Sequence, residues 1–419
     1  MGMTMIEKIL ASHSNRKEVR AGDFVTCKLD RIVHIDIVFT TDWFAIPNKI
    51  CDASRHVGVM DHVVPAPTVR DAEGAAKFRA FMRRFGIQDF FDVGRHGIEH
   101  QVVAEEGFAL PGQLLACEDS HTCGAGAFNC GARGLGALGM TYAACKGEAW
   151  YIVGPTIKYE MEGDLPNYAM GHDVFLHMAG MYGEDTNKNA EFAGPGIESM
   201  GIDIRQCIAT MCANMSYEFA TFPCDARLLR YLQGRAVEDF VPVSSDSDAK
   251  YEDVRVIRLG EVVPQVALPH SIPNNCVPVE TVAGTRIDQA FIGSCAGGRL
   301  EDLAIASEIV RQGRVADGVR LIVTPASQRT YLAALRAGYI EALVEAGATV
   351  TNSTCGACYG GHMGLLAANE RCITSSTRNF KGRMGSPDSE VLIGSPATVA
   401  ASAVAGCVTD PRVFLGGGR

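Results

Sequence analysis

"QAFIGSCAGGRLEDLAIASEIVRQG", residues 289–313, holds a strand, a loop and a helix in one line. Gln289 to Ile292 reads as a short buried strand and "GSCAGG" as a small-residue loop. Leu300, Leu303, Ala304, Ser307 and Val310 then recur at helical spacing up to Gly313. Downstream, "GVRLIVTPAS" is a second apolar strand and "QRTYLAALRAGYIEALVEAG" a helix-like stretch. "ATVT" is a third strand, running into "NSTCGACYGG". Strand, helix, strand, helix, strand predicts the α/β class, with a mostly parallel sheet and right-handed crossovers. Ligands of such sheets bind where loops leave the carboxyl ends of strands. Cys295 and the Cys355/Cys358 pair stand at such ends, so three thiols are expected on one edge of one domain.

The first half of the chain is less periodic. "PGQLLACEDSHTCGAGAFNCGARGLGALGM" runs from a strand through a small-residue loop into a helix, and "YIVGPTIKYEMEG" reads as a strand before a turn. Residues 244–254, "SSDSDAKYEDV", suggest an exposed loop, and "SIPNNCVPVETVAGTRID" (271–288) a linker ahead of the last domain. "GLGALG" (134–139) matches G-x-G-x-x-G. It follows "HTCGAGAFNCGAR" rather than an apolar strand, so a dinucleotide site lacks its structural context.

With 419 residues the chain has room for two or three domains, and 47% hydrophobic against 21% charged residues is ordinary for a globular protein. The 45 glycines, without a collagen period, imply tight turns and close backbone approaches to a ligand. A net charge of −10 speaks against a nucleic-acid partner. No uncharged apolar run is long enough to cross a bilayer, and "MGMTMIEKILASHSNRKEV" reads as the start of a helix rather than a secretory signal. Fifteen cysteines, an odd number, suit free thiols in a reducing cytoplasm better than a secreted disulfide framework.

Three thiols on one edge leave several chemistries open. Structural zinc normally takes four protein ligands. A redox pair leaves Cys295 unexplained. A cubane iron–sulfur cluster usually takes four thiolates; with three, one iron stays open as a Lewis acid. The plain alternative is small-residue loops that carry buried cysteines. Elsewhere, "MDHVVP" offers Asp61 and His62, "GIEHQ" offers His100, and "EDSHT" offers Asp119 and His121. Carboxylate–imidazole pairs of this kind orient the ring, raise its basicity and suit proton delivery to a leaving hydroxyl. A single histidine is more often a satisfied core or turn residue. Arg378 and Arg383 in "SSTRNFKGRMG" can bind carboxylates bidentately, against the alternative of a solvated basic loop.

"EKIL", "DH", "GIEHQ", "PGQLLACEDSHT", "GSCAGGR", "TCGACYGG" and "TRNFKGR" occur in the order seen in the aconitase superfamily. From Glu7 to about Ser402 the chain resembles its free-standing large subunits of the 3-isopropylmalate dehydratase and homoaconitase type. The resemblance implies three α/β domains (1–155, 156–283 and 284–419) with a cluster at strand-end loops between them. It makes Cys295, Cys355 and Cys358 the ligands of a [4Fe–4S] cluster whose open iron takes the substrate's hydroxyl and a carboxylate. Asp61, His62, His100, Asp119 and His121 match the positions that handle the leaving hydroxyl. Glu218, in "MSYEF", matches a glutamate beside that oxygen, and Arg378 and Arg383 match the carboxylate-binding arginines.

The activity implied is a hydro-lyase that reversibly dehydrates, hydrates or isomerises a 2-hydroxy di- or tricarboxylic acid. A 2- or 3-alkylmalate such as isopropylmalate stands first, and hydration of citramalate-, dimethylmalate- or maleate-type acids second. A non-catalytic iron–sulfur sensor of the same fold, and a zinc or disulfide protein, are the readings from other classes. The family takes its C–H base from a serine beside an arginine on a swivelling domain. No such motif is found here, so the resemblance implies a small partner subunit that carries it. The chain departs from the family at "GSCAGGR", where G-S-C-T-N-G-R is commoner, and at Thr377, where asparagine is usual. It departs again after Glu218, where "FATFPCD" is short. These differences bear on which acid is the substrate.

Overall fold

The computed structural model describes residues 2–41 and 44–415. Three parallel or mostly parallel sheets follow one another along the chain. The first has five parallel strands in the order Asp89–Phe91, His56–Val59, Arg31–Ile35, Leu114–Cys117, Gly131–Gly134. Its central strand, Arg31–Ile35, is buried at every position, as a sheet covered on both faces requires. The second has four parallel strands, Tyr217–Thr221, Lys188–Ala193, Thr156–Glu162 and Asp253–Arg258. An antiparallel ribbon, Phe24–Lys28 with Glu148–Ile152, lies apart from both.

The third sheet has seven strands. Glu390–Gly394, Arg371–Thr374, Gln289–Ile292, Arg320–Val323 and Thr349–Val350 are parallel. Gln265–Ala267 and Cys276–Pro278 extend one edge antiparallel. The segment expected to be a linker, 271–288, thus contributes an edge strand. The first two sheets share one core, with Phe39, Phe78 and Tyr151 in it; the third builds its own around Ile292, Leu303, Ile309 and Leu392.

Local chemistry accounts for the element ends. The opening helix Met5–His13 starts on a capping box: Thr4 Oγ1 accepts from the Glu7 N–H, and Glu7 accepts from the Thr4 N–H at 2.8 Å. Leu300–Val310 is the helix its spacing predicts, burying Leu303, Ala306, Ile309 and Val310. The stretch 328–347 is two helices rather than one, Gln328–Arg336 and Tyr339–Glu345. Gly338 breaks it at φ +75°, a left-handed conformation that ends a helix. "GLGALG" does follow a strand, since the polar "GARG" pairs in parallel beside Leu114–Cys117 and leads into helix Gly136–Lys146. Its neighbour in the sheet, rather than its own hydrophobicity, makes it a strand.

Candidate active site

The loops that leave the carboxyl ends of the first and third sheets meet at a cavity of about 420 Å³. Its wall on the third-sheet side is made by backbone. After Gln289–Ile292 the chain turns through Ser294 at φ +79°, a region non-glycine residues seldom occupy, and Cys295 follows in the short helix Ser294–Gly297. The Gly293 N–H donates to Ser375 Oγ at 3.1 Å. A Cβ on Gly297 would overlap the Ser375 side chain, and one on Gly298 would stand 2.6 Å from the Thr324 carbonyl oxygen. Within "GSCAGGR", Ser375 fills the space that a side chain at 297 would need.

Cys355 and Cys358 sit on one tight turn, where the Cys358 N–H donates to the Cys355 carbonyl at 3.0 Å. All three thiols are buried and line the cavity. Burial pushes the Cys295 thiol up, while the hydrogen bond from Cys355, with Arg383 nearby, holds Cys358 down. Arg383 lies 3.9 Å from Cys358 Sγ through one terminal nitrogen, and its Nε is buried without a partner. Thr377 Oγ1 is also 3.9 Å from Cys358 Sγ.

The opposite wall is made by side chains. Asp119 caps the turn Ser120–Phe128 and accepts from the His121 N–H at 2.7 Å. The same oxygen lies 3.0 Å from His100 Nε2 and 3.3 Å from His121 Nδ1. His100 Nδ1 stands 2.7 Å from Glu99 Oε1. Burial opposes charge on the His100 ring, but Glu99 and Asp119 outweigh it and raise it to about 10. Burial dominates at His121 and lowers it, and its Nε2 has no hydrogen-bond partner. His62 is raised to about 9, burial being overcome by the charges of Asp61, Asp119 and Asp36. Asp61 Oδ2 and His62 Nδ1 are 3.5 Å apart, an ion contact longer than an ordinary hydrogen bond, and the same oxygen accepts the Glu99 N–H at 3.0 Å.

The two walls are latched together. The Asp61 carbonyl accepts from the Cys355 N–H at 3.2 Å and from Thr354 Oγ1 at 2.8 Å, and the His62 carbonyl accepts from His362 Nε2 at 2.8 Å. A second crossing uses the fully buried Arg299. It donates to the Cys295 carbonyl and, through Nε, to Gln206 Oε1 at 3.1 Å; Gln206 Nε2 donates to the His100 carbonyl at 2.9 Å.

Of the site residues expected from the sequence, Asp61, His62, His100, Asp119, His121, Cys295, Cys355, Cys358, Arg378 and Arg383 all line this cavity. Arg378 reaches Ser120 Oγ at 2.9 Å and Asn214 Oδ1 at 3.3 Å. Glu218 is not brought to the cavity: it sits on strand Tyr217–Thr221 and pairs with Arg133. Sequence reasoning missed Glu99, Glu118, Gln206, Arg299 and Tyr359. Glu99 stood in plain view beside His100, and its role shows only once the helix Glu99–Glu105 starts there. Ile35, Ile37, Val38, Ile98 and Ala137 give the cavity an apolar side.

The donor set suits an iron–sulfur group. Three buried thiols share the cavity, and ligand atoms of His100, His121 and Cys295 lie within 4.8 Å of one another. Buried nitrogens of His121 and Arg383 there lack partners of their own. All fifteen cysteines are free, and among the described residues no helix is long and apolar enough to cross a membrane.

Fold and cavity together define an α/β protein with an acid–base and thiol centre between sheets. Residues 10–406 match the Aconitase family (aconitate hydratase), and the chain belongs to that family of hydro-lyases. It is 52% identical over 412 residues to the 3-isopropylmalate dehydratase large subunit of Mycolicibacterium smegmatis (98% of this chain, 97% of that one). It is 40% identical over 421 residues to the protein of the same name from Halothermothrix orenii, covering 99% and 100% of the two chains. The 3-isopropylmalate dehydratase large subunit 1 of Methanopyrus kandleri is 41% identical over 421 residues, again 99% and 100%. Among solved structures, the holo-form of aconitase X from Thermococcus kodakaraensis gives a TM-score of 0.49 at 11% identity, over 90% of this chain and 93% of that chain.

Proposed function

We propose that this chain is the cluster-bearing large subunit of a cytoplasmic hydro-lyase that reversibly dehydrates and isomerises an alkyl-substituted malate, isopropylmalate foremost. One observation carries the reading: thiols, carboxylate-held imidazoles and two arginines converge on a single cavity with an apolar side. Cys295, Cys355 and Cys358 would hold a [4Fe–4S] cluster. When bound, such a cluster with three thiolate ligands supplies Lewis acidity toward the substrate's oxygens.

The chain's own residues do the rest. Arg378, steadied by Ser120, and Arg383 present guanidinium groups to the substrate's carboxylates. Asp119 engages Nδ1 of His121, which leaves Nε2 as the atom that holds or moves a proton at the departing hydroxyl. His100, gripped between Glu99 and Asp119, keeps that carboxylate in place. Ile35, Val38 and Ile98 offer the alkyl group a dry wall and exclude water from it. The base for the C–H proton belongs to a small partner subunit with a swivelling domain, carrying a serine beside an arginine.

The test is anaerobic purification with measurement of iron, acid-labile sulfide and zinc, for the natural chain and a Cys358→Ser variant. About four irons and four sulfides per chain, sharply depleted in the variant, is the expected result. Turnover with the small subunit is then compared across isopropylmalate, citramalate and dimethylmalate. Zinc, or no metal after reconstitution, overturns the mechanism. A full cluster without turnover on any of these acids would favour the sensor reading instead.

A further inference from the structure

Glu118 lines the cavity beside Asp119, and the acid–base roles above leave it unused. Behind it runs an unbroken file of side chains. Glu118 Oε1 lies 3.1 Å from His34 Nδ1, and His34 Nε2 lies 3.0 Å from His56 Nδ1. His56 Nε2 lies 3.2 Å from Cys51 Sγ. Both rings are fully buried and nearly coplanar, end to end, with centres 5.2 Å apart and 10° between their planes. Phe44 and Phe81 close around His34. Cys51 is only partly buried, and exposed Asp52 follows it, so the file leads from the cavity wall to the surface.

The donors can be assigned in one consistent direction. The Cys51 thiol donates to His56 Nε2, His56 Nδ1–H to His34 Nε2, and His34 Nδ1–H to Glu118. Each ring nitrogen then has one partner, with both imidazoles neutral. Burial, helped by His34 and Arg55, holds His56 down to about 3, which keeps it neutral. Burial likewise pushes the Cys51 thiol up against the pull of Arg55, so it keeps its proton.

We propose that Glu118, His34, His56 and Cys51 form a proton path between the catalytic cavity and the surface. The path rests on the acid–base reading of the cavity given under Proposed function. One passage breaks the Cys51 S–H, His56 Nδ1–H and His34 Nδ1–H bonds. It forms His56 Nε2–H, His34 Nε2–H and Glu118 O–H; Cys51 takes a proton from solvent water, and Glu118 gives one to water in the cavity. Each ring is left as the other tautomer. Fully buried, close-packed rings turn over poorly, so the file resets by running backwards. A reversible dehydration fits that restriction. The proton lent to the cavity acid when the hydroxyl leaves is returned when water adds back.

The first test needs no activity. The rate at which iodoacetamide alkylates Cys51, followed on its peptide by mass spectrometry, reports the far end of the file in the isolated chain. Glu118→Gln should lower that rate about threefold, the effect of half a pKa unit. The same change should do nothing in a His56→Phe background. An unchanged rate on Glu118→Gln overturns the path.

The second test uses the cluster-loaded chain with its small subunit. Cys51→Ala, a change near the surface, should cut kcat about tenfold with KM unchanged, while Cys51→Ser, which keeps a donor, should not. Imidazole in the buffer should restore most of the Cys51→Ala loss. No loss, or a loss that imidazole leaves in place, also overturns the path. Intact coupling at Cys51 in a chain without any hydro-lyase turnover would instead overturn the functional reading and leave the path standing.

Discussion

The two walls of the cavity are built on opposite plans. On the third-sheet side, Gly293, Ala296, Gly297, Ala357 and Ser375 leave so little side chain that backbone turns decide where Cys295, Cys355 and Cys358 sit. On the first-sheet side the side chains hold one another, Glu99 to His100 to Asp119 to His121. The first wall tolerates little added volume, and the second tolerates little loss of hydrogen bonding. A substitution therefore fails for a different reason on each side.

Asp119→Asn breaks the side-chain wall at its hub and should have the largest effect. An amide cannot hold two rings by charge, so turnover with the small subunit should fall about 10²- to 10⁴-fold. Far-UV circular dichroism should stay as in the natural chain; a loss of secondary structure would mean the hub is structural. Gly297→Asn breaks the backbone wall by volume. It should destabilise the chain by about 1–3 kcal/mol in urea unfolding. A Ser375→Gly change in the same chain should recover part of that, and a site indifferent to residue 375 would refute the packing account.

Gln206→Leu cuts the crossing between walls. It leaves Arg299 Nε unpaired and takes the cross-wall donor from the His100 carbonyl, at a cost of about 1–3 kcal/mol. If the crossing matters, this change and Gly297→Asn should be non-additive when combined.

The smallest effect lies away from both walls, at His13 and Asp30, 2.6 Å apart. Burial pulls the His13 ring down, but Asp30 and the Ile9 carbonyl raise it above 6.5. Its contribution is thus complete below pH 6.5 and is lost as pH rises through the raised value. Burial pushes Asp30 up, but His13, the Leu114 N–H and Arg31 lower it below 3.8. Its share is present above pH 3.8 and is lost as pH falls through the lowered value. The pair should thus contribute most between about pH 4 and 6.5, by under about 1 kcal/mol. His13→Ala should flatten a stability-against-pH curve in that window, with cluster content and turnover unchanged. A change in either would tie the pair to the cavity.

What could be read from the sequence follows the same division. The backbone wall was legible because strand-end glycines and cysteine spacing are local signals; Gln289–Ile292 and Leu300–Val310 fall where the pattern puts them. The break at Gly338 was missed because the apolar spacing on either side of it continues in helical phase. "GARG" was missed because its neighbouring strand, not its composition, makes it a strand. On the side-chain wall the histidines were visible as residue types, but their holders were not. Gln206 and Arg299 come from other parts of the chain, and no spacing rule joins them to His100. Glu218 illustrates the converse: a motif match named it, and the fold gave it Arg133 instead.

The latch between the walls also bears on descent. On the Asp61–His62 side it is made only of carbonyl oxygens, which every residue carries. On the other side, Cys355 contributes its N–H, and Thr354, His362 and, toward the Val64 carbonyl, Asn352 contribute side chains. Two lineages that had drifted far apart could exchange the parts of the gene encoding the two walls, and the joint would still close. The asparagine, the threonine and the histidine would have to be inherited along with the cysteines, and so would the Arg299–Gln206 pair of the second crossing.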